Sequence, residues 1–193
     1  MDSSITRIDS LEEHIECNPG EHIIFTGTFN PFHAGHVYMV EQSIVIRNVR
    51  EDQNPVLIYP HNRTKHKNPV DIEARREWIE STLWVEGQDL PITENVAIVS
   101  DPSIVFDSEE WQRLRDKFGD RLIRVAGCDK RRHIEDPNAI IIPRIPILSS
   151  SEIRAIVRSL SLESLGDAYE QLMVAGVIEE VAKEIIEVGA YRK

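Results

Sequence analysis

The sequence predicts an α/β fold, a doubly wound, mostly parallel five-stranded sheet with a C-terminal helical segment. Three observations predict it. Short β-branched or aliphatic runs recur at residues 22–25, 55–60, 95–100, 121–126 and 138–148. Amphipathic stretches of helical length lie between most of them, and strand, helix, strand in that order implies right-handed parallel crossovers. The first run ends in a glycine turn that leads directly into a helical pattern, which brings backbone close to a ligand at a helix N-terminus. Such an arrangement is Rossmann-like, and 193 residues suit one domain with a real core.

Composition narrows the function classes. A formal charge of −11 argues against a non-specific nucleic-acid binder, whose affinity comes from Lys and Arg on phosphates. A small anionic ligand needs only a local basic patch. Cys17 and Cys128 show no paired-ligand spacing and fit a reduced cytoplasmic protein better than a disulfide scaffold. No apolar stretch is long enough for a membrane span, and no signal-peptide pattern opens the chain. The expected partners are small molecules rather than nucleic acid or membrane, with a homo-oligomer left open.

In chain order, residues 1–20 form a polar N-terminal leader with a short helix over 8–15 and a Pro19-Gly20 turn. Residues 21–160 carry the sheet, and 161–193 form a helical tail of the same domain, with Gly166, Gly176 and Gly189 as candidate breaks. The first strand runs into the segment FTGTFNPFHAGH, residues 25–36. Pro31 suits the irregular approach to the helix. Gly27 and Gly35 allow close backbone approach, and the helix start offers unpaired N–H groups to an anion. His33 and His36 share one face of the first turn. Imidazolium is disfavoured there unless an anion reverses the field. A zinc pair is the competing reading, but no further His/Cys/Glu cluster at ligand spacing follows, so no metal-ligating residues are assigned.

After a helix over 37–49 and the strand at 55–60 comes HNRTKHKNP, where His61, Arg63, Lys65, His66 and Lys67 concentrate positive charge. A charge run is ordinarily a solvated loop. This one leaves the carboxyl end of a strand, where open α/β sheets bind ligands. Residues 71–85 read as a helix carrying Trp78 and Trp84 in packing roles. The strand at 95–100 is followed by a loop containing Phe106 and a helix through about residue 117, in which Trp111 shares an amphipathic run with Leu114 and Phe118. The strand at 121–126 ends in Gly127-Cys128-Asp129, a turn whose carboxylate can accept hydrogen bonds from hydroxyls or an amine. The fifth strand is interrupted by Pro143 and Pro146, which favours a sheet edge. Ser149 and Glu152 then have capping-box spacing. Arg154 is a cation in that helix's first turn, a conflict with the macrodipole that a bound anion would remove.

The segment built on Gly27, Phe29, Pro31, His33, Gly35 and His36 resembles the G-x-F-x-P-x-H-x-G-H signature of the H-x-G-H nucleotidyltransferases. SSSEIR resembles that superfamily's second signature, with Ser149, Ser150, Ser151 and Arg154 in matching places. KNPVDIEAR is similar to the N-P-x5-R segment of archaeal-type mononucleotide adenylyltransferases, and places Arg75 at their arginine. GCD matches the family's G-x-D nucleotide contact.

The resemblance is strongest to nicotinamide/nicotinate mononucleotide adenylyltransferases. It implies transfer of AMP from ATP to a small phosphorylated acceptor, with Mg2+ bound mainly through the ATP phosphates. His33, His36, Arg154 and Lys65 would be catalytic. Gly27, Thr28, Phe29, Gly35, Gly127, Asp129, Ser149, Ser150 and Ser151 would bind ATP. Thr26, Lys67, Arg75, Phe106 and Trp111 would meet the acceptor, although Lys65 and Lys67 are interchangeable on spacing and Trp111 equally fits a core role. Pantetheine-phosphate adenylyltransferase is the alternative activity, favoured by SSSEIR but not by H-A-G-H. A non-catalytic nucleotide sensor with the same fold is the alternative class.

Overall fold

The structure, a computed structural model, describes residues 5–61, 70–84, 92–100, 108–128, 136–143, 149–159 and 165–187. Its described strands are β1 (Thr6–Ile8), β2 (His22–Gly27), β3 (Val56–Pro60), β4 (Val96–Val99), β5 (Leu122–Gly127) and β6 (Ile140–Ile142). Its helices are α1 (Leu11–Cys17), α2 (Ala34–Val49), α3 (Ile72–Leu83), α4 (Ser108–Phe118), α5 (Ser150–Ser159), α6 (Leu165–Val174) and α7 (Glu179–Glu187). The strands form one sheet in the order β1-β4-β3-β2-β5-β6, and every pairing is parallel. This is the Rossmann-like α/β architecture that the strand-helix alternation predicts.

Among the described residues the sheet has six strands rather than the expected five. The additional one comes from the leader: β1 pairs with β4, Thr6 opposite Ala97 and Ile8 opposite Val99. Three residues are too few to show a period, and two of these are exposed, so the strand leaves no hydrophobic signature. Helix α1 begins after Ser10, whose side chain accepts the Glu13 N–H. Leu11 and Ile15 are fully buried. Burial of each contributes about 1.5–3 kcal/mol, enough to hold a seven-residue helix that would not persist alone.

Alternation along the strands sends side chains to two faces. Ile23, Phe25, Val56, Ile58, Val96 and Ile98 pack beneath α2 and α3 with Met39, Val40, Ile79 and Leu83. Ile24, Leu57, Ala97 and Val99 pack against α1 and α4 with Leu11, Ile15, Trp111 and Leu114. A third cluster joins α5, α6 and α7 to Trp78 of α3. Trp78 also donates its indole N–H to Glu184 at 2.7 Å, which fixes α7 on α3. Trp84, expected to pack, caps the end of α3 and is 49% exposed. Gly166 lies inside α6 and breaks nothing, whereas Gly176 follows α6 with a φ of +77°. Among the described residues no helix is long and apolar enough to cross a membrane.

The order of β2 to β6 places the topological switch point between β2 and β5, the position at which open sheets admit a ligand beyond the strands' carboxyl ends. Gly27 and Gly127, the last residues of those two strands, flank that crevice.

Candidate active site

The loop from β2 to α2 is built around aromatic rings. Phe29 takes a φ of +45°, and its ring folds back so closely that a Cβ on Gly27 would lie 2.6 Å from Phe29 Cε1. Glycine at 27 is thus a packing requirement. Phe29 and Phe32 are buried, and with Phe25 they surround His36: Phe32 stacks on the imidazole at 5.0 Å, Phe29 meets it edge-on at 5.2 Å and Phe25 lies at 6.1 Å. The Asn30-Pro31 bond is cis. Phe29, expected to meet ATP, is 2% exposed and acts through this cage.

His33 is the N-cap of α2. Its Nδ1 accepts the Gly35 N–H at 3.1 Å, while Nδ1 of His36 accepts the His33 N–H at 3.3 Å, a capping box made of two imidazoles. Because both Nδ1 atoms are acceptors, each neutral ring carries its proton on Nε2. The ring centroids are 3.9 Å apart. Burial among the rings, and then the charge of His33, push the His36 pKa well below the ordinary histidine value. Two like charges at about 4 Å would repel by about 4 kcal/mol at an effective dielectric near 20. His36 therefore offers a neutral N–H donor.

The expectation that the first-turn amides of α2 are unpaired is corrected here. Ala34 N–H donates to the Gly176 carbonyl at 2.8 Å, Gly35 N–H to His33 Nδ1, and His36 N–H to the His33 carbonyl at 2.7 Å. The capping imidazole and the turn after α6 satisfy these donors internally. An anion at this helix would be met by side chains and by the macrodipole.

The second signature meets the first. Ser150 Oγ donates to the Pro31 carbonyl at 3.1 Å, and Arg154 donates to the Asn30 carbonyl and, at 3.0 Å, to Ser151 Oγ. Ser149 caps α5: its N–H and Oγ both reach Glu152 Oε2 at 2.6 Å, and its Oγ accepts the Glu152 N–H at 3.3 Å. With α5 starting at Ser150, Arg154 is its fifth residue and lies past the first turn, which relieves the expected conflict with the macrodipole, and its guanidinium holds a carbonyl of the opposite loop. Asn30 is fully buried, and the sequence gives it no distinctive signal beyond its place inside the motif.

Arg75 is 0% exposed. It donates to the carbonyls of Thr28 at 2.5 Å, His61 at 3.2 Å and Asp71 at 3.1 Å, tying the loops after β2 and β3 to α3. His61 N–H donates in turn to the Gly27 carbonyl at 3.0 Å. The acceptor-side arginine of the sequence reading thus braces the loops that frame the crevice. Thr26 and Thr28, half-buried, flank Gly27. Trp111 is corrected as an acceptor contact: its ring lies in the core between the sheet and α4, its N–H donates to Asp136 at 3.0 Å, and Arg124 lies over its face. Lys65, Lys67, Phe106 and Asp129 lie outside the described residues.

Two signatures on one crevice, carried by a parallel sheet with this switch point, define a family. Residues 24–156 match the sequence model described as cytidylyltransferase-like. The chain belongs to the cytidylyltransferase-like family. It is thereby a nucleotidyltransferase, as the paired signatures predict. No curated protein matches this nucleotidyltransferase in sequence. Among solved structures it is similar to a Plasmodium falciparum nicotinic acid mononucleotide adenylyltransferase complexed with NaAD, with a TM-score of 0.62 and 13% identity over 90% of this chain and 98% of that one. A putative nicotinate-nucleotide adenylyltransferase from Vibrio parahaemolyticus gives 0.55 and 14% over 91% and 97%. A bifunctional NMN adenylyltransferase/ADP ribose pyrophosphatase from Francisella tularensis, complexed with AMP and a Mn ion, gives 0.51 and 19% over 90% and 51%. At these identities the likeness shows the nucleotidyltransferase's fold.

Proposed function

We propose that this nucleotidyltransferase transfers AMP from ATP to nicotinate or nicotinamide mononucleotide, forming the corresponding dinucleotide and pyrophosphate. The observation that carries the reading is the junction of the two signatures, where Ser150 and Arg154 hold the loop that presents His33 and His36. The fold neighbours, whose names give them this activity, agree with it.

In this mechanism the acceptor's 5′-phosphate attacks the α-phosphorus of ATP. A new P–O bond forms, the bond to the α,β-bridging oxygen breaks, and its electron pair leaves with pyrophosphate. A phosphate monoester near neutral pH is largely dianionic, so no general base is required. The protein contributes alignment and charge neutralisation. Nε2–H of His33 and of His36 would donate to the α- and β-phosphates, and Arg154 would follow the charge onto the leaving group, with Lys65 or Lys67 in the same role. Gly127 and Asp129 would meet the adenosine, and the serines before Arg154 the outer phosphates. Among the described residues no group of three or more His, Cys, Asp or Glu could hold a metal ion. Mg2+ would arrive on the triphosphate, whose oxygens would supply its hard ligands, and would offset phosphate charge there. The two exposed free cysteines, Cys17 and Cys128, accord with a reducing, cytoplasmic setting.

The test is pyrophosphate release from ATP and Mg2+ with nicotinate mononucleotide, nicotinamide mononucleotide and phosphopantetheine in turn. Turnover with a pyridine mononucleotide, reduced by about two orders of magnitude or more in His36→Ala, is expected. Turnover with phosphopantetheine alone would replace the acceptor, and ATP binding without turnover on any of them would favour a sensor.

A further inference from the structure

Arg76 is unlike the other described arginines. It is 5% exposed, and its Nη1 is paired with Glu73 at 2.9 Å, yet Nε and Nη2 are buried with no hydrogen-bond partner among the described residues. Those two nitrogens share one edge of the guanidinium, and their parallel N–H bonds match the two oxygens of a carboxylate or phosphate. A buried donor pair left open in this way calls for an occupant. The neighbouring Arg75, by contrast, is committed to backbone carbonyls.

The position of Arg76 belongs to the acceptor half of the crevice. Helix α3 runs back against the strands, so its N-terminal turns lie at the sheet's carboxyl edge, where Arg75 reaches the first residues beyond β2 and β3. Glu73, the partner of Arg76, is also bound by Arg7, the next-to-last residue of β1. Arg76 therefore sits toward β4 and β1, across the switch point from β5, which carries Gly127. Ser100, the first residue past β4 and so also toward β4 and β1, donates its N–H to the Ile8 carbonyl at 2.6 Å, while its Oγ is buried and unpartnered among the described residues. Two buried polar groups from separate elements, a cationic fork and a hydroxyl, thus lack hydrogen-bond partners among the described residues on the β4–β1 side of the sheet.

We propose that Arg76, with Ser100, forms an oxyanion subsite for the acceptor, and that the anion it takes is the carboxylate of an acidic pyridine ring. The inference rests on the proposed adenylyltransferase reading and deepens it: the nucleotidyltransferase prefers nicotinate to nicotinamide mononucleotide. The carboxylate accepts both N–H bonds of the fork, whereas a carboxamide presents one oxygen and directs its own N–H bonds at the cation.

The experiment compares wild type, Arg76→Lys, Arg76→Met and Ser100→Ala by calorimetric affinity for each mononucleotide, turnover with each, and thermal unfolding. Nicotinate mononucleotide is expected to lose about 100-fold in affinity in Arg76→Met and nearly as much in Arg76→Lys, which keeps the charge but not the fork. Ser100→Ala should lose about tenfold, and nicotinamide mononucleotide should change less than about threefold throughout. Unfolding of Arg76→Met should occur at the same or a higher temperature, because a buried charge with open donors is removed while Glu73 keeps Arg7. Equal losses for both mononucleotides would assign the subsite to their shared phosphate and overturn the carboxylate assignment. Unchanged affinity for both, or losses accompanied by a lower unfolding temperature, would overturn the subsite. Wild-type turnover reports separately on the adenylyltransferase reading, since the affinity ratios do not require catalysis.

Discussion

Arg154 donates a hydrogen bond to the backbone carbonyl of Asn30, 124 residues earlier in the chain. With Ser150 on the Pro31 carbonyl, it makes the start of α5 a clamp on the loop that carries His33 and His36. A polyanion entering the crevice would compete with that carbonyl for the guanidinium, and ligand binding and loop position would then be coupled through one side chain.

Replacing Arg154 with Met should therefore affect more than charge. Turnover is expected to fall about 100-fold or more, and the loop beyond β2 should exchange its amide hydrogens faster than in wild type. Hydrogen exchange followed by mass spectrometry on the peptide spanning 26–36 checks this. Unaltered exchange in a correctly folded variant would remove the clamp.

The pH dependence of stability follows from three histidines. Burial among the phenylalanines, and then the charge of His33, depress the pKa of His36; burial alone depresses His14, and burial foremost depresses His22. A folded-state pKa below the unfolded value of about 6.5 means that the unfolded chain binds more protons. Their contribution is thus fully present above that pH and is lost as pH falls below it. Urea midpoints measured from pH 8 to pH 5 should decline below about 6.5, and His36→Asn should flatten the decline. A midpoint that rises on acidification would contradict the sign.

Nucleotide binding should oppose that effect, because phosphates beside His36 favour its protonated form. ATP is therefore expected to bind with proton uptake, its affinity strengthening from pH 8 toward pH 6.5. Calorimetry in two buffers of different ionisation enthalpy detects the uptake. Identical heats in both would overturn the uptake and leave His36 a neutral N–H donor.

Arg75 predicts a large structural effect. Arg75→Met leaves the carbonyls of Thr28 and His61 without their buried donor. The variant should lose about 2–4 kcal/mol in urea unfolding, two part-buried acceptors at about 1–3 kcal/mol each offset by relief of a buried charge. Turnover should fall with both acceptors alike, which separates its bracing role from the acceptor selectivity assigned to Arg76.

Two glycines should respond in opposite directions to alanine. At Gly176 the φ of +77° disfavours a side chain, and a Cβ would meet Ala34 Cβ at 2.7 Å, next to the hydrogen bond that seats the α6–α7 turn on α2. Gly176→Ala should cost about 1–3 kcal/mol. Gly166 is helical with nothing within 4 Å of the added carbon, and its replacement should stabilise by about 0.5–1 kcal/mol. Thermal unfolding of the two variants gives the comparison, and equal shifts would refute it.

Local pattern determined a good deal about this protein. The runs that become β2 to β6, the helix over α2, the edge position of β6, the Ser149–Glu152 cap and both signatures follow from short-range chemistry, since period, turn residues and capping spacing act within a few residues. Tertiary structure decided what side chains do once distant elements meet. It added the leader as an edge strand, because β1 is defined only by its partner β4. It consumed the first-turn amides of α2 through His33 and Gly176, buried Trp111 against the sheet, and gave Arg75 and Arg76 opposite fates one residue apart. The physical reason is common to these cases: a hydrogen-bond partner or a buried surface supplied from far along the chain leaves no trace in the spacing of the residues that use it.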